Sequence, residues 1–197
     1  MSKIDYASRN VVNTVWPWVA ILATLALAAF LLDQQGRLWI CQCGRVDLWA
    51  GDIWSEDNSQ HILDPYSFTH ILHGFIFFWG IAWLWPRLAF GWQLWLALFI
   101  EAAWEVAENS EAIIQRYRDA TLALGYNGDT IVNSLSDILL CGLGVWLARR
   151  IGFSRTVLLF LCTEIVLAFW IRDGLLLNIL MLIYPIDAIR TWQTAGQ

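Results

Sequence analysis

Long apolar runs alternate with shorter polar stretches along this chain, and the run lengths predict its elements. A first apolar run covers residues 15–32, about 18 residues, which is enough to cross a bilayer. Pro17 falls in its first turn, where proline is tolerated. Runs of similar length cover 67–85, 90–107, 130–148 and 156–171. They stop at polar or helix-breaking residues such as Pro86-Arg87, Arg149-Arg150 and Arg172-Asp173. A last apolar segment, 174–185, is only about 12 residues long, which is short for a span and fits a re-entrant, interfacial or tilted piece. Residues 33–66 form a polar loop with room for one short interfacial helix. The stretch 108–127 is amphipathic and predicts a short surface helix, closed by an Asn127-Gly128 turn. Asp129 is placed to cap the helix that follows. The expectation is an all-α polytopic membrane bundle, with about five spans plus the short C-terminal segment, in a single membrane domain over 1–197.

Composition narrows the class. The chain is 58% hydrophobic, only 15% charged and has a mean hydropathy of +0.53, a balance suited to a multi-pass membrane protein. Of its 14 Trp, Trp16, Trp18, Trp83, Trp85, Trp92, Trp146, Trp170 and Trp192 lie near apolar-segment ends, which fits interfacial belts. A net charge of −5 gives no reason to expect nucleic acid as a partner. The first run lacks a small-residue cleavage pattern after it and is read as a retained span. With the N-terminus inside, Lys3, Arg9, Arg87, Arg149, Arg150 and Arg155 fall on the cytoplasmic side in short loops. The opposite side carries Arg37, Arg45, Arg116, Arg118 and Arg172, diluted by many Asp and Glu. That bias favours a cytoplasmic N-terminus.

The oily runs are not uniformly oily. Glu101, Glu105 and Glu108 follow an i, i+4, i+7 spacing, so one helix stripe carries all three carboxylates. His70 and His73 begin the second run, and Asp129, Asn133 and Asp137 begin the fourth. Antiparallel spans bring these stripes to one end of the bundle. Ionisable groups inside a membrane are costly and usually face a polar cavity or a functional path.

His and carboxylate groups on facing helices are how bundles assemble metal sites. The metal ligands expected here are His70, His73, Glu101, Glu105 and Asp129, around a divalent cation such as zinc. Glu101, Glu105 and Asp137 are the catalytic candidates: a carboxylate raised in pKa by burial can act as a general base. Arg116, Arg118 and Arg172 could hold an anionic group such as phosphate. The same groups also fit an internal network of ion pairs that holds the bundle together. Cys41 and Cys43 can chelate metal, pair with each other in a small ring, or pair elsewhere. Cys141 and Cys162 read as apolar fillers. Glu164 needs a polar partner on another helix, and Asn178 suits a bond between helices.

The stretches CQCGRVDLW, DNSQHILDPYSFTHILHGFIF, EAAWEVAENSEAIIQRYRDAT, GYNGDTIVNSLSD and IRDGLLLNILMLIYP run between Ile40 and Trp192. Together they resemble an uncharacterised family of bacterial multi-pass inner-membrane proteins, a domain of unknown function. The resemblance implies an inner-membrane location and leaves the activity open. Three readings stand. One is a membrane-embedded, metal-dependent hydrolase or transferase acting on a lipid-linked substrate. Another is a non-catalytic membrane subunit or assembly factor with a membrane-protein partner. The third is a proton or ion path, which the absence of an internal repeat weakens.

Overall fold

The computed structural model describes residues 15–120 and 126–195. Lys3 and Arg9, used in the orientation argument, lie outside them. Eight helices occur among the described residues: α1 (Trp16–Gln34), α2 (Ser67–Leu84), α3 (Phe90–Glu108), α4 (Glu111–Ala120), α5 (Ile131–Ile151), α6 (Phe153–Trp170), α7 (Leu175–Ile183) and α8 (Asp187–Thr194). No strand occurs among the described residues; an isolated bridge pairs Trp49 with Leu63 in the first loop.

Four helices, α1, α2, α5 and α6, are long and apolar enough to cross a membrane. The expected fifth, α3, forms at its predicted position but does not join them on length and composition. Its glutamates and Gln93 make it too polar. The polar loop forms turns and the one bridge, with no helix of its own. Helix α8 falls beyond the last predicted element.

Local chemistry sets the ends. Asp64 accepts the N–H groups of Tyr66 at 2.7 Å and Ser67 at 3.1 Å, while the Asp64 N–H donates to Ser67 Oγ at 3.0 Å. This reciprocal arrangement starts α2 in the manner of a capping box. Thr130, and not Asp129, caps α5: its Oγ1 accepts the Asn133 N–H at 3.3 Å. Gly152 ends α5 at φ 82°, in the left-handed region open to glycine, and the chain turns directly into α6. Glu164 finds its partner in the backbone, accepting the N–H groups of Leu175 at 2.8 Å and Leu176 at 2.9 Å at the start of α7.

The centre of the bundle is the pair α2 and α5. A Cβ at Gly74 would meet the Cys141 carbonyl oxygen at 2.1 Å, and one at Gly144 would meet the Ile71 carbonyl oxygen at 2.2 Å. Only glycine at both positions lets the two backbones approach this closely. Leu72, Phe75, Ala97, Leu98, Ile138 and Val145 fill the seam with α3. Helix α1 lies on α3, joined by the Trp95 Nε1–H donating to Thr24 Oγ1 at 3.2 Å. The outward faces are apolar: Leu22, Trp83 and Phe169 are 67%, 80% and 84% exposed. Polar groups gather inside, the reverse of a soluble domain and the arrangement a bilayer requires.

Candidate functional site

The glycine contact between α2 and α5 sets His70 beside Asp137. His70 Nε2 lies 3.7 Å from Asp137 Oδ2. On the other side of the same ring, Nδ1 lies 2.6 Å from Glu101 Oε1 and 3.4 Å from Glu105 Oε1. One turn further along α2, His73 Nδ1 lies 2.9 Å and 3.0 Å from the two oxygens of the same Glu101. Glu101 and Glu105 are fully buried, and Asp137 is 3% exposed.

Two donor groups result, His70–His73–Glu101 and His70–Glu105–Asp137, each with its ligand atoms within 4.8 Å of one another. Neither Glu105 oxygen has a hydrogen-bond partner. Three buried carboxylates therefore face two imidazoles. Even with both rings protonated the group remains short of positive charge, and unpaired buried charge is strongly unfavourable. Either a bound cation or a proton on one of the carboxylates would offset this.

Above the donor groups is a cavity of about 110 Å³. Five acids line it: Asp64, Glu108, Asp129, Asp137 and Asp173, alongside His70 and His73. No Lys or Arg lines it among the described residues. Leu175, Ile179 and Leu182 of α7 form an apolar wall. Burial, followed by the nearby charge of Asp129, raises the pKa of Asp64 above the ordinary carboxylate value. Burial likewise raises Asp129 and pushes Asp173 up to about 6.

The stripes read from the sequence do meet. His70, His73, Asn133 and Asp137 line the cavity, with Glu101 and Glu105 against the imidazoles. Asp129 belongs to the cavity wall and not to a donor group: it accepts Asn109 Nδ2–H at 2.9 Å and the Tyr126 hydroxyl at 2.8 Å. Asp137 takes the place at the His70 ring. The three arginines stand away from the cavity lining. Arg116 donates to the Leu182 and Ile183 carbonyls at 2.8 Å and 3.3 Å. Arg118 donates to the Tyr126 carbonyl at 2.6 Å and to the Asn127 side chain. Arg172 donates to the Trp192 carbonyl at 2.8 Å and sits over the Trp192 ring.

Sequence reasoning missed Asp64 and Tyr66 as part of the site. The signal was present: Asp64-Pro65 stands three residues before Ser67 at the start of an apolar run, a helix-start pattern.

A family profile described as "Protein of unknown function (DUF2585)" matches residues 31–195. The chain belongs to this family. It is 46% identical over 179 residues to a UPF0314 protein of Paracoccus denitrificans, covering 91% of this chain and 93% of that one. It is 45% identical to a UPF0314 protein of Sphingopyxis alaskensis over 179 residues, 91% and 95% of the two chains. A UPF0314 protein of Rhizobium johnstonii is 44% identical over 194 residues, 98% of each chain. No solved structure matches this chain.

Proposed function

We propose that this is a multi-pass protein of the bacterial inner membrane, with a cytoplasmic N-terminus, that holds a divalent cation such as zinc between α2, α3 and α5 and uses it on a lipid-linked substrate. In this reading α3 is the fifth span, its glutamates turned away from lipid. One observation carries it: the Glu105 carboxylate is fully buried, has no hydrogen-bond partner and faces His70 among three carboxylates. His70, His73, Glu101, Glu105 and Asp137 supply the donors, and Asp129 orients the wall of the cavity. A cation there would acidify a bound water, and the Glu105 oxygen not held by the cation would accept its proton for hydrolysis or transfer. The apolar α7 wall suits an acyl or prenyl chain, leaving the polar head in the cavity. An anionic head would meet the cation, while Arg116, Arg118 and Arg172 hold the rim in place.

Without a cation, the second reading is a proton path over His70, Glu101 and His73, with Asp137 3.7 Å from the His70 ring. A third role, a structural network inside a membrane subunit, needs neither metal nor proton transfer. Metal analysis of detergent-purified, non-reduced protein separates the metal reading from the other two. The expected result is about one equivalent of divalent metal, lost in His70→Ala. Metal-free wild-type protein after purification with added Zn2+ rejects the metal reading. Labelling of single cysteines at Ser55 and Ser154, in a chain otherwise without cysteine, tests the topology: they should react from opposite sides of the membrane.

A further inference from the structure

A second cluster of metal-ligating side chains lies in the first loop, outside the cavity lining. Cys41, Cys43, Asp57 and His61 each offer one ligand atom, and these four atoms lie within 4.8 Å of one another. Cys41 and His61 are buried, at 7% and 2% exposure, while Cys43 is exposed. The loop holds them in register. The Ala50 N–H donates to the Leu63 carbonyl at 2.8 Å, and the Ile62 N–H to the Asp47 carbonyl at 3.1 Å. The His61 carbonyl accepts Asn133 Nδ2–H at 2.9 Å, fixing the histidine to the first turn of α5.

The His61 ring is only half satisfied. Its Nδ1 accepts the Asp47 N–H at 3.1 Å. Its Nε2 has no hydrogen-bond partner and lies 3.3 Å from Asp57 Oδ1. Two sulfurs, an imidazole nitrogen and a carboxylate oxygen form a donor set suited to tetrahedral zinc. In the structure Cys41 and Cys43 are joined as a disulfide, so neither sulfur is available as a thiolate.

We propose that this loop is a redox-gated metal site: the dithiol form binds a thiophilic cation of the zinc class through Cys41, Cys43, His61 and Asp57, and the disulfide form does not. The opening step needs a reductant of the dithiol class. It gives two electrons and two protons to the Cys41–Cys43 bond, leaves as its own disulfide, and two thiols form. On coordination both thiol protons pass to solvent. The His61 ring proton moves from Nε2 to Nδ1, and the bond from the Asp47 N–H is exchanged for the bond to the metal. Because His61 is tied to Asn133, and Asn133 lines the cavity, occupancy of the loop reaches the cavity wall through one hydrogen bond. The proposal stands whether or not the bundle holds its own metal.

The test uses the full chain in detergent, oxidised or reduced with a phosphine that is then removed without air. Zn2+ alone is titrated against a chromogenic chelator, and Co2+ is added in parallel. Reduction should add one equivalent of bound Zn2+ to whatever the oxidised protein holds, together with a near-ultraviolet thiolate-to-Co2+ charge-transfer band. Cys43→Ser and His61→Asn should each lose that equivalent, and Asp57→Asn should weaken it. Cys43 is exposed, so its serine variant should keep the fold, which circular dichroism checks; Asp57→Asn, also near the surface, provides a second variant. Equal uptake by oxidised and reduced protein, or full uptake by Cys43→Ser, would overturn the proposal. The same titration in a His70→Ala background keeps the two sites apart, because the increment on reduction should survive there.

Discussion

The Tyr66 hydroxyl donates to Asp173 Oδ2 at 3.1 Å, tying the start of α2 to the turn between α6 and α7. Burial pushes Asp173 up to about 6 from an ordinary 3.8, with backbone and side-chain donors acting in the opposite direction. Between those values the folded chain binds a proton that the unfolded chain does not, so stability falls as pH rises through the interval. The full loss is roughly 3 kcal/mol above the folded value. Thermal unfolding in detergent between about pH 4 and pH 7 should show this decline, and Asp173→Asn should flatten it. An unchanged slope in the variant assigns the dependence to other groups.

The His70 ring serves three carboxylates and the His73 ring only one. His70→Ala should therefore be the costlier change, about 3–5 kcal/mol for an ionised buried pair, because Glu105 and Asp137 lose their nearest ring partner. His73→Ala leaves Glu101 with His70 and should cost clearly less. Chemical denaturation of the two variants side by side checks the order, and equal losses would show that Glu101 depends on both rings alike.

Glu105→Gln distinguishes chemistry from support. The carboxylate makes no hydrogen bond that the amide would lose, so the fold should persist. If Glu105 takes a proton during turnover, complementation of a deletion strain should fail although the protein accumulates normally. Normal growth with Glu105→Gln, Glu101→Gln and His73→Gln, each tested singly, would sink the enzyme reading.

A methyl group at Gly74 has nowhere to go. Gly74→Ala should destabilise the bundle by about 1–3 kcal/mol through overpacking. It should also reduce metal retention, because pushing α2 from α5 draws His70 from Asp137. A variant that unfolds at the wild-type temperature would show that the seam can yield.

Much of this architecture was readable from hydropathy. The spans 15–32, 67–85, 130–148 and 156–171 fall within a few residues of α1, α2, α5 and α6, because apolar length is a one-dimensional signal. Helix α3 was also legible as a helix, and its inward stripe was legible from the i, i+4 spacing of Glu101 and Glu105. The role of Asp129 was not. It stands before the first residue of α5, so helical periodicity cannot place it on the face of Asp137. The partner of Glu164 was equally hidden, since two backbone N–H groups eleven and twelve residues further on carry no side-chain signature. His61 gave no periodic signal because it lies in a loop, where contacts are set by turns and not by a repeat.

The close seam between Gly74 and Gly144 also decides where the cavity can open. Two helices in backbone contact have no room to slide or separate without breaking the donor groups they align. The opposite side is different. There α7 is joined to α4 by the Tyr117 hydroxyl on Asn178 at 3.1 Å and by Arg116 on the last carbonyls of α7. The cavity therefore has unequal sides: a wall fixed by backbone contact at Gly74 and Gly144, and an α7 side held by side-chain hydrogen bonds such as these.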